Sequence, residues 1–255
     1  MPARTSVAAS NRAALLALIG CALLAWYFTL ASVVGMPAGQ GSMEAGLAGF
    51  LAAWTLMMAA MMLPALAPLT SMYLRSIRAV PSSAVRAART IALLSGYLAT
   101  WIGFGVFAYV ASVFCAMLAA DAPDLAPWVG AGLILVAGVY QLTPLKDFCL
   151  RHCRSPMAFL LHVSAYKGRF RDVRVGLYHG LYCIGCCWGL MVVLVAVGVM
   201  NLAWMAVLAA TILLEKTWKH GRSFSRLGGA ALIVFAFFVP ANPWLLPGLY
   251  MAPAM

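Results

Sequence analysis

Residues 13–34 read AALLALIGCALLAWYFTLASVV, a run of 22 residues without a charged side chain. A helix needs about 20 apolar residues to cross the hydrocarbon core of a membrane, so this segment is long enough for one span. Arg4 and Arg12 precede it as in a secretory signal, but a cleaved signal usually has a shorter apolar stretch. We therefore predict that this segment is a retained membrane-spanning helix.

The chain as a whole has the composition of a membrane protein. Of its 255 residues, 65% are hydrophobic and 9% are charged, whereas soluble domains carry roughly 25% charged residues. The mean hydropathy is +0.96. A water-soluble globule is excluded, and so is an intrinsically disordered chain, because this much apolar surface offsets the entropy cost of ordering.

Further apolar stretches predict six more spans. With the first span, they indicate an all-α polytopic membrane helix bundle of about seven transmembrane helices, in one integral membrane domain covering residues 1–255. The predicted spans are 13–34, 46–74, 90–120, 129–145, 175–200, 202–218 and 227–247.

The positive charges predict the orientation of these spans. The chain has 17 Lys and Arg against 6 Asp and Glu, a net charge of +11. If the N-terminus lies on the cytoplasmic side (inside), all the basic residues fall in cytoplasmic segments, where Lys and Arg are retained. Glu44, Asp121 and Asp124 then fall on the opposite side (outside). The sequence thus predicts an N-in, C-out topology, with basic loops that contact anionic lipid head groups rather than nucleic acid.

A group of metal-ligand side chains lies inside the fifth predicted span. Cys183, Cys186 and Cys187 form a C-x-x-C-C run, and His179 lies one turn before it. At ~100° per residue the four side chains share an arc of ~100° on a helix. Thiolates and imidazole suit Cu(I) or Zn(II) rather than Ca or Mg. One helix supplies at most two or three ligands to an ion, so another helix must provide the rest.

Helix packing is the alternative interpretation of this run. Buried cysteines behave as small hydrophobic residues, and small residues let membrane helices approach closely. The surrounding glycines at 176, 180, 185 and 189 are typical of such a packing face.

Two further sulfur groups are candidate metal contacts. Met57 and Met61, in the second span, present thioethers that bind Cu(I) without deprotonation, although Met also fills packing gaps. Cys149 and Cys153 lie one turn apart at the inner end of the fourth span and form a candidate inner acceptor. Since Cys183 is expected ~12 Å deeper than the interface, we predict that the two cysteine groups form separate sites.

Glu215 is the remaining candidate. A carboxylate near the inner end of the sixth span is costly unless it is paired, so it is either a functional group or half of an interfacial pair with Lys219 at i+4. The sequence contains no Ser-His-Asp set, nucleotide-binding loop or paired carboxylates for hydrolysis. No enzymatic reaction is therefore assigned.

Four segments carry a resemblance to a known family. They are WTLMMAAMMLP (54–64), Tyr140–Arg154, GLYHGLYCIGCCWGLM (176–191) and Glu215-Lys216. With these segments the chain resembles an uncharacterised bacterial family of predicted metal-binding integral membrane proteins. The resemblance implies a seven-span protein that binds a metal, and it identifies neither the ion nor a reaction.

Three functional hypotheses follow. The first is a protein of the bacterial inner membrane that binds a thiophilic ion, Cu(I) or else Zn(II), and transfers it to or from a membrane or soluble metal-delivery partner. The second is a membrane thiol oxidoreductase or assembly factor that uses the same cysteines. The third is a structural subunit of a membrane complex.

Overall fold

A computed structural model describes residues 2–33 and 46–249, with side chains in the first range from residue 15. The side chains of Arg4 and Arg12, and all of Glu44, lie outside the described residues. The described ranges contain helices and no strand, which confirms the all-α prediction. The helices are α1 (Pro2–Val33), α2 (Gly46–Ser76), α3 (Ser83–Asp121), α4 (Ala126–Gln141), α5 (Pro144–Arg154), α6 (Pro156–His162), α7 (Arg171–Ala196), α8 (Leu202–Thr217) and α9 (Gly221–Phe238), with short 3₁₀ turns at Val163–Ala165 and Pro243–Leu245.

Each predicted span corresponds to one helix: α1 to α4 and α7 to α9. Within the described ranges, four helices (α1, α2, α3 and α7) are long and apolar enough to cross a membrane, and the bent pair of α4 and α5 makes a fifth if it counts as one span. The number of seven spans therefore stays a prediction.

Two predicted boundaries are wrong. The fourth span does not run to residue 145, because α4 ends at Gln141 and the chain turns by 63° into α5. Thr143 precedes a proline, which disfavours helical backbone, and its hydroxyl accepts from the Lys146 amide to cap the new helix. The seventh span, predicted to end at 247, ends at Phe238, shortly before Pro240 and Pro243.

Helix α7 is the centre of the bundle and packs on α3, α4, α5 and α8, most extensively on α3. The predicted glycine face explains this packing. A Cβ on Gly176 would collide with the Leu93 carbonyl, and one on Gly180 with the Thr100 side chain, so only glycine permits this approach of α3. The cysteine-bearing helix is thus held tightly by its neighbours.

A polar contact fixes the first turn of α7. Asp172 accepts two hydrogen bonds from the Arg89 guanidinium, at 2.9 and 3.1 Å, and one from the Tyr73 hydroxyl at 2.6 Å. These contacts join the start of α7 to the end of α2 and the start of α3. Helices α3 and α7 therefore run in the same direction, and their basic ends lie together.

Candidate metal centre

The three cysteines of α7 lie together in the interior of the bundle. Cys183, Cys186 and Cys187 are at most 1% exposed, and their Sγ atoms all lie within 4.8 Å of one another. The face of α7 that carries these cysteines is therefore turned toward neighbouring helices and not toward the surface of the bundle. We call these three residues the sulfur cluster.

The spacing of the sulfur cluster suits one thiophilic ion. Two thiolates bound at about 2.3 Å to the same ion lie about 3.8 Å apart in tetrahedral geometry and about 4.6 Å apart in linear geometry. The three Sγ atoms lie no more than 4.8 Å from one another, so small shifts suffice for them to share one ion. The thiols of Cys186 and Cys187 donate to the Cys183 carbonyl oxygen, at 3.1 and 2.7 Å, which keeps both sulfurs on the same side of α7.

Three other helices bring a side chain to the sulfur cluster. Tyr97 on α3 has its hydroxyl 3.0 Å from Cys183 Sγ, and Lys216 on α8 donates to the same sulfur at 2.9 Å. Cys153 on α5 has its Sγ 3.8 Å from Cys186 Sγ. The cluster thus lies where α3, α5, α7 and α8 meet.

The prediction that the two cysteine groups form separate sites is wrong. It assumed that α5 continues α4 in a straight line toward the interface. The 63° turn instead lays α5 against α7, and the lack of a side chain at Gly185 makes room for Cys149, whose Sγ would lie 2.7 Å from a Cβ there. Cys153 is brought to Cys186 as a result.

His179 lies one turn before the cluster, outside the set of mutually close sulfurs. It is 3% exposed and packs between Tyr97 and Phe159, with ring centroids 6.0 and 5.0 Å away. Its Nδ1 atom is buried and has no hydrogen-bond partner among the described residues. A buried polar atom without a partner costs free energy, so an imidazole nitrogen is free to take a ligand next to the cluster.

Glu215 is paired, but not with Lys219, which is exposed. Its carboxylate lies 2.8 Å from Lys146 Nζ on α5, and both side chains are at most 1% exposed. Gln141 donates to Glu215 at 3.3 Å and accepts from Lys146. The alternative of an interfacial pair with Lys219 is therefore wrong, and Glu215 belongs to a buried ion pair that joins α5 to α8.

Met57 and Met61 are buried in α2, in the same apolar core as the sulfur cluster. Their role as metal contacts stays a prediction. The burial of Lys146 and Lys216 was not predictable from the positive charges alone, because Lys residues between apolar stretches ordinarily lie at the cytoplasmic interface and set the topology. Nothing in the sequence indicated that Tyr97 contacts the cluster, because a tyrosine in an apolar span is ordinarily a packing residue.

Comparison with known proteins adds one match. The family model PpoB2, described as a copper chaperone, matches residues 51–239, a range that holds α3 to α9 in full and every cysteine discussed above. No curated protein and no solved structure matches the chain. The match supports the metal-related part of the family resemblance seen in the sequence.

Proposed function

We propose that this chain, which belongs to the PpoB2 copper chaperone family, binds Cu(I) at Cys183, Cys186 and Cys187 and passes it to a partner protein. The observation that carries the proposal is the burial of three thiols with Sγ atoms within 4.8 Å of one another. All-sulfur sites select soft ions such as Cu(I). Family membership favours copper over the Zn(II) that the same residues would also accept.

Lys216 offsets part of the negative charge that a copper-loaded sulfur cluster would carry. Three thiolates and one Cu(I) carry −3 + 1 = −2, and the ammonium of Lys216, which contacts Cys183 at 2.9 Å, reduces this to −1. Buried charges need such compensation in a site of low polarity. His179 stands one turn away as a further nitrogen donor.

We place the protein in the bacterial inner membrane, with seven spans, the N-terminus inside and the C-terminus outside. The contacts between basic helix ends support this topology, because Arg89–Asp172, Lys146–Glu215 and Arg222–Asp147 all join segments expected inside. Large apolar side chains on the outer faces of the helices suit contact with lipid. Examples are Leu23, Phe107 and Phe237, which are 64, 56 and 75% exposed.

Copper titration of the purified full chain tests the site. We expect the detergent-solubilised protein, kept anaerobic, to take up about one Cu(I) per chain at the cluster, and the variant Cys183→Ser, Cys186→Ser, Cys187→Ser to lose this uptake. A variant with Cys21→Ser and Cys115→Ser is the control for loss of thiols elsewhere and should bind as the natural chain does. Retention of copper by the folded triple variant refutes the assignment.

Thiol redox chemistry is the second candidate, favoured by the 3.8 Å separation of Cys153 Sγ and Cys186 Sγ. In this reaction the two thiols form a disulfide and pass two electrons and two protons to a quinone or to a disulfide of a partner. It predicts a reducible cysteine pair and no stoichiometric metal in the purified protein. Copper binding predicts free thiols with bound metal, so thiol counting and metal analysis of one sample separate the two.

A further inference from the structure

Cys153 is the least buried neighbour of the sulfur cluster. Of the three side chains that contact cluster sulfurs from other helices, Tyr97 and Lys216 are buried, whereas Cys153 is partly exposed. Cys183, Cys186 and Cys187 are themselves buried. Among the described residues that contact the cluster from other helices, Cys153 is thus the least buried, and its thiol lies against Cys186.

The separation of Cys153 from the cluster suits transfer of an ion. Its Sγ lies 3.8 Å from Cys186 Sγ, the separation of about 3.8 Å that two thiolates adopt on a shared ion. A copper ion can therefore be held by both sulfurs during transfer with little movement of either helix.

Contacts at both ends of α5 fix the position of Cys153. Near the start of the helix, Lys146 is bound to Glu215 at 2.8 Å. At its end, Arg154 donates to the main-chain oxygens of Glu215, Trp218 and Lys219, at 2.8, 2.7 and 3.1 Å. The approach of Cys153 to Cys186 thus depends on polar contacts that hold α5 to the end of α8.

The surroundings of Cys153 are basic. Arg151 and Arg154 flank it on α5, and Arg222 and Arg226 bind Asp147 on the same helix, at 3.0 and 3.3 Å. Complexes of Cu(I) with thiolates or with sulfonated chelators are anionic, so this end of the molecule attracts them.

We propose that Cu(I) enters and leaves the sulfur cluster through Cys153, delivered by or released to an anionic thiolate carrier at the basic end of the bundle. This inference rests on the proposed function. In the transfer, a bond from copper to Cys153 forms as one carrier thiolate leaves and takes up the proton of the Cys153 thiol. Bonds to the cluster sulfurs then replace the bond to Cys153, and a proton from a cluster thiol returns to Cys153. Copper stays in the +1 state throughout.

Exchange kinetics test the inference. The anaerobic full chain is loaded from the Cu(I) complex of bathocuproine disulfonate, and the rates of uptake and of return to excess chelator are followed by absorbance. We expect Cys153→Ser to bind the same amount of copper but to exchange it at least about tenfold more slowly, the factor produced by an added barrier of about 1.4 kcal/mol. Cys115→Ser, a buried cysteine of α3 outside the cluster, is the matched control and should exchange at the natural rate.

Alkylation of the natural chain gives an independent readout that needs no variant. Mass spectrometry should show that iodoacetamide modifies Cys153 before the buried cluster cysteines, and that bound Cu(I) slows this modification. Equal reactivity of Cys153 and Cys183 would overturn the inference.

The remaining outcomes separate this inference from the proposed function. If the natural chain binds copper and Cys153→Ser exchanges it at the natural rate, only the inference is overturned. If Cys153→Ser binds no copper, Cys153 is a permanent ligand and the exchange role is wrong. If the natural chain takes up no Cu(I), the proposed function fails and the inference fails with it.

Discussion

Replacing Lys146 by Met should destabilise the fold severely. The Lys146 and Glu215 side chains are 0 and 1% exposed, and their charged atoms are 2.8 Å apart. Lys146→Met leaves the Glu215 carboxylate in the interior with Gln141 Nε2, at 3.3 Å, as its remaining side-chain donor. Removing one partner of a buried ion pair costs about 3–5 kcal/mol, because the other charge stays buried and uncompensated.

The loss is measurable as a shift of the unfolding midpoint. For a chain of this size, about 3–5 kcal/mol lowers the midpoint by roughly 6–20 °C, which intrinsic tryptophan fluorescence of the detergent-solubilised protein can follow. The exposed pair of Arg222 and Asp147 provides the matched control. Arg222 is 52% exposed, so Arg222→Met should cost no more than about 1 kcal/mol.

The double variant tests the physical reason. Lys146→Met combined with Glu215→Met removes both charges and should recover most of the lost stability, because a buried ion pair replaced by apolar residues is often neutral. The reasoning is refuted if Lys146→Met is as mild as Arg222→Met, or if the double variant is less stable than Lys146→Met alone.

Two further predictions concern packing and topology. Gly176→Ala should lower the free energy of unfolding by about 1–3 kcal/mol through overpacking, because its Cβ would meet the Leu93 carbonyl. Gly103→Ala, whose Cβ would have nothing within 4 Å, should not lower it by overpacking. Equal unfolding midpoints of the two variants would contradict the close approach of α3 and α7. Alkaline phosphatase, which folds only outside the cytoplasm, should be active when fused to the C-terminus and inactive when fused after Gly168. Activity at both positions, or inactivity at the C-terminus, would show that the N-in, C-out topology is wrong.

Much of the fold was predictable because apolar runs and prolines act locally. Each of the seven apolar stretches contains most of one helix. Gly176 and Gly180 mark the face of α7 that packs on α3, while Gly185 faces α5 and Gly189 faces α4. The misplaced end of the fourth span shows the limit of counting apolar residues. The effect of Pro144 on the residue before it ended α4 early, although the apolar stretch continued.

The candidate site was predictable only in part. The helical period placed Cys183, Cys186 and Cys187 on one arc, and the structure shows these sulfurs together in the interior. Which side chains face them from other helices was not predictable. Lys216, Tyr97 and Cys153 are distant in sequence from the sulfurs that they contact, and the periodicity of one helix carries no information about its neighbours.

The sequence by itself determined a helical, strongly apolar chain and a helix with three thiols on one side, because hydropathy and the 3.6-residue repeat are properties of single segments. Only the tertiary structure decided that Lys146 neutralises Glu215 and that Cys153 joins Cys186. Both contacts depend on the 63° turn between α4 and α5. The direction in which that turn sends α5 is set by packing against α7 and α8, which no single segment encodes.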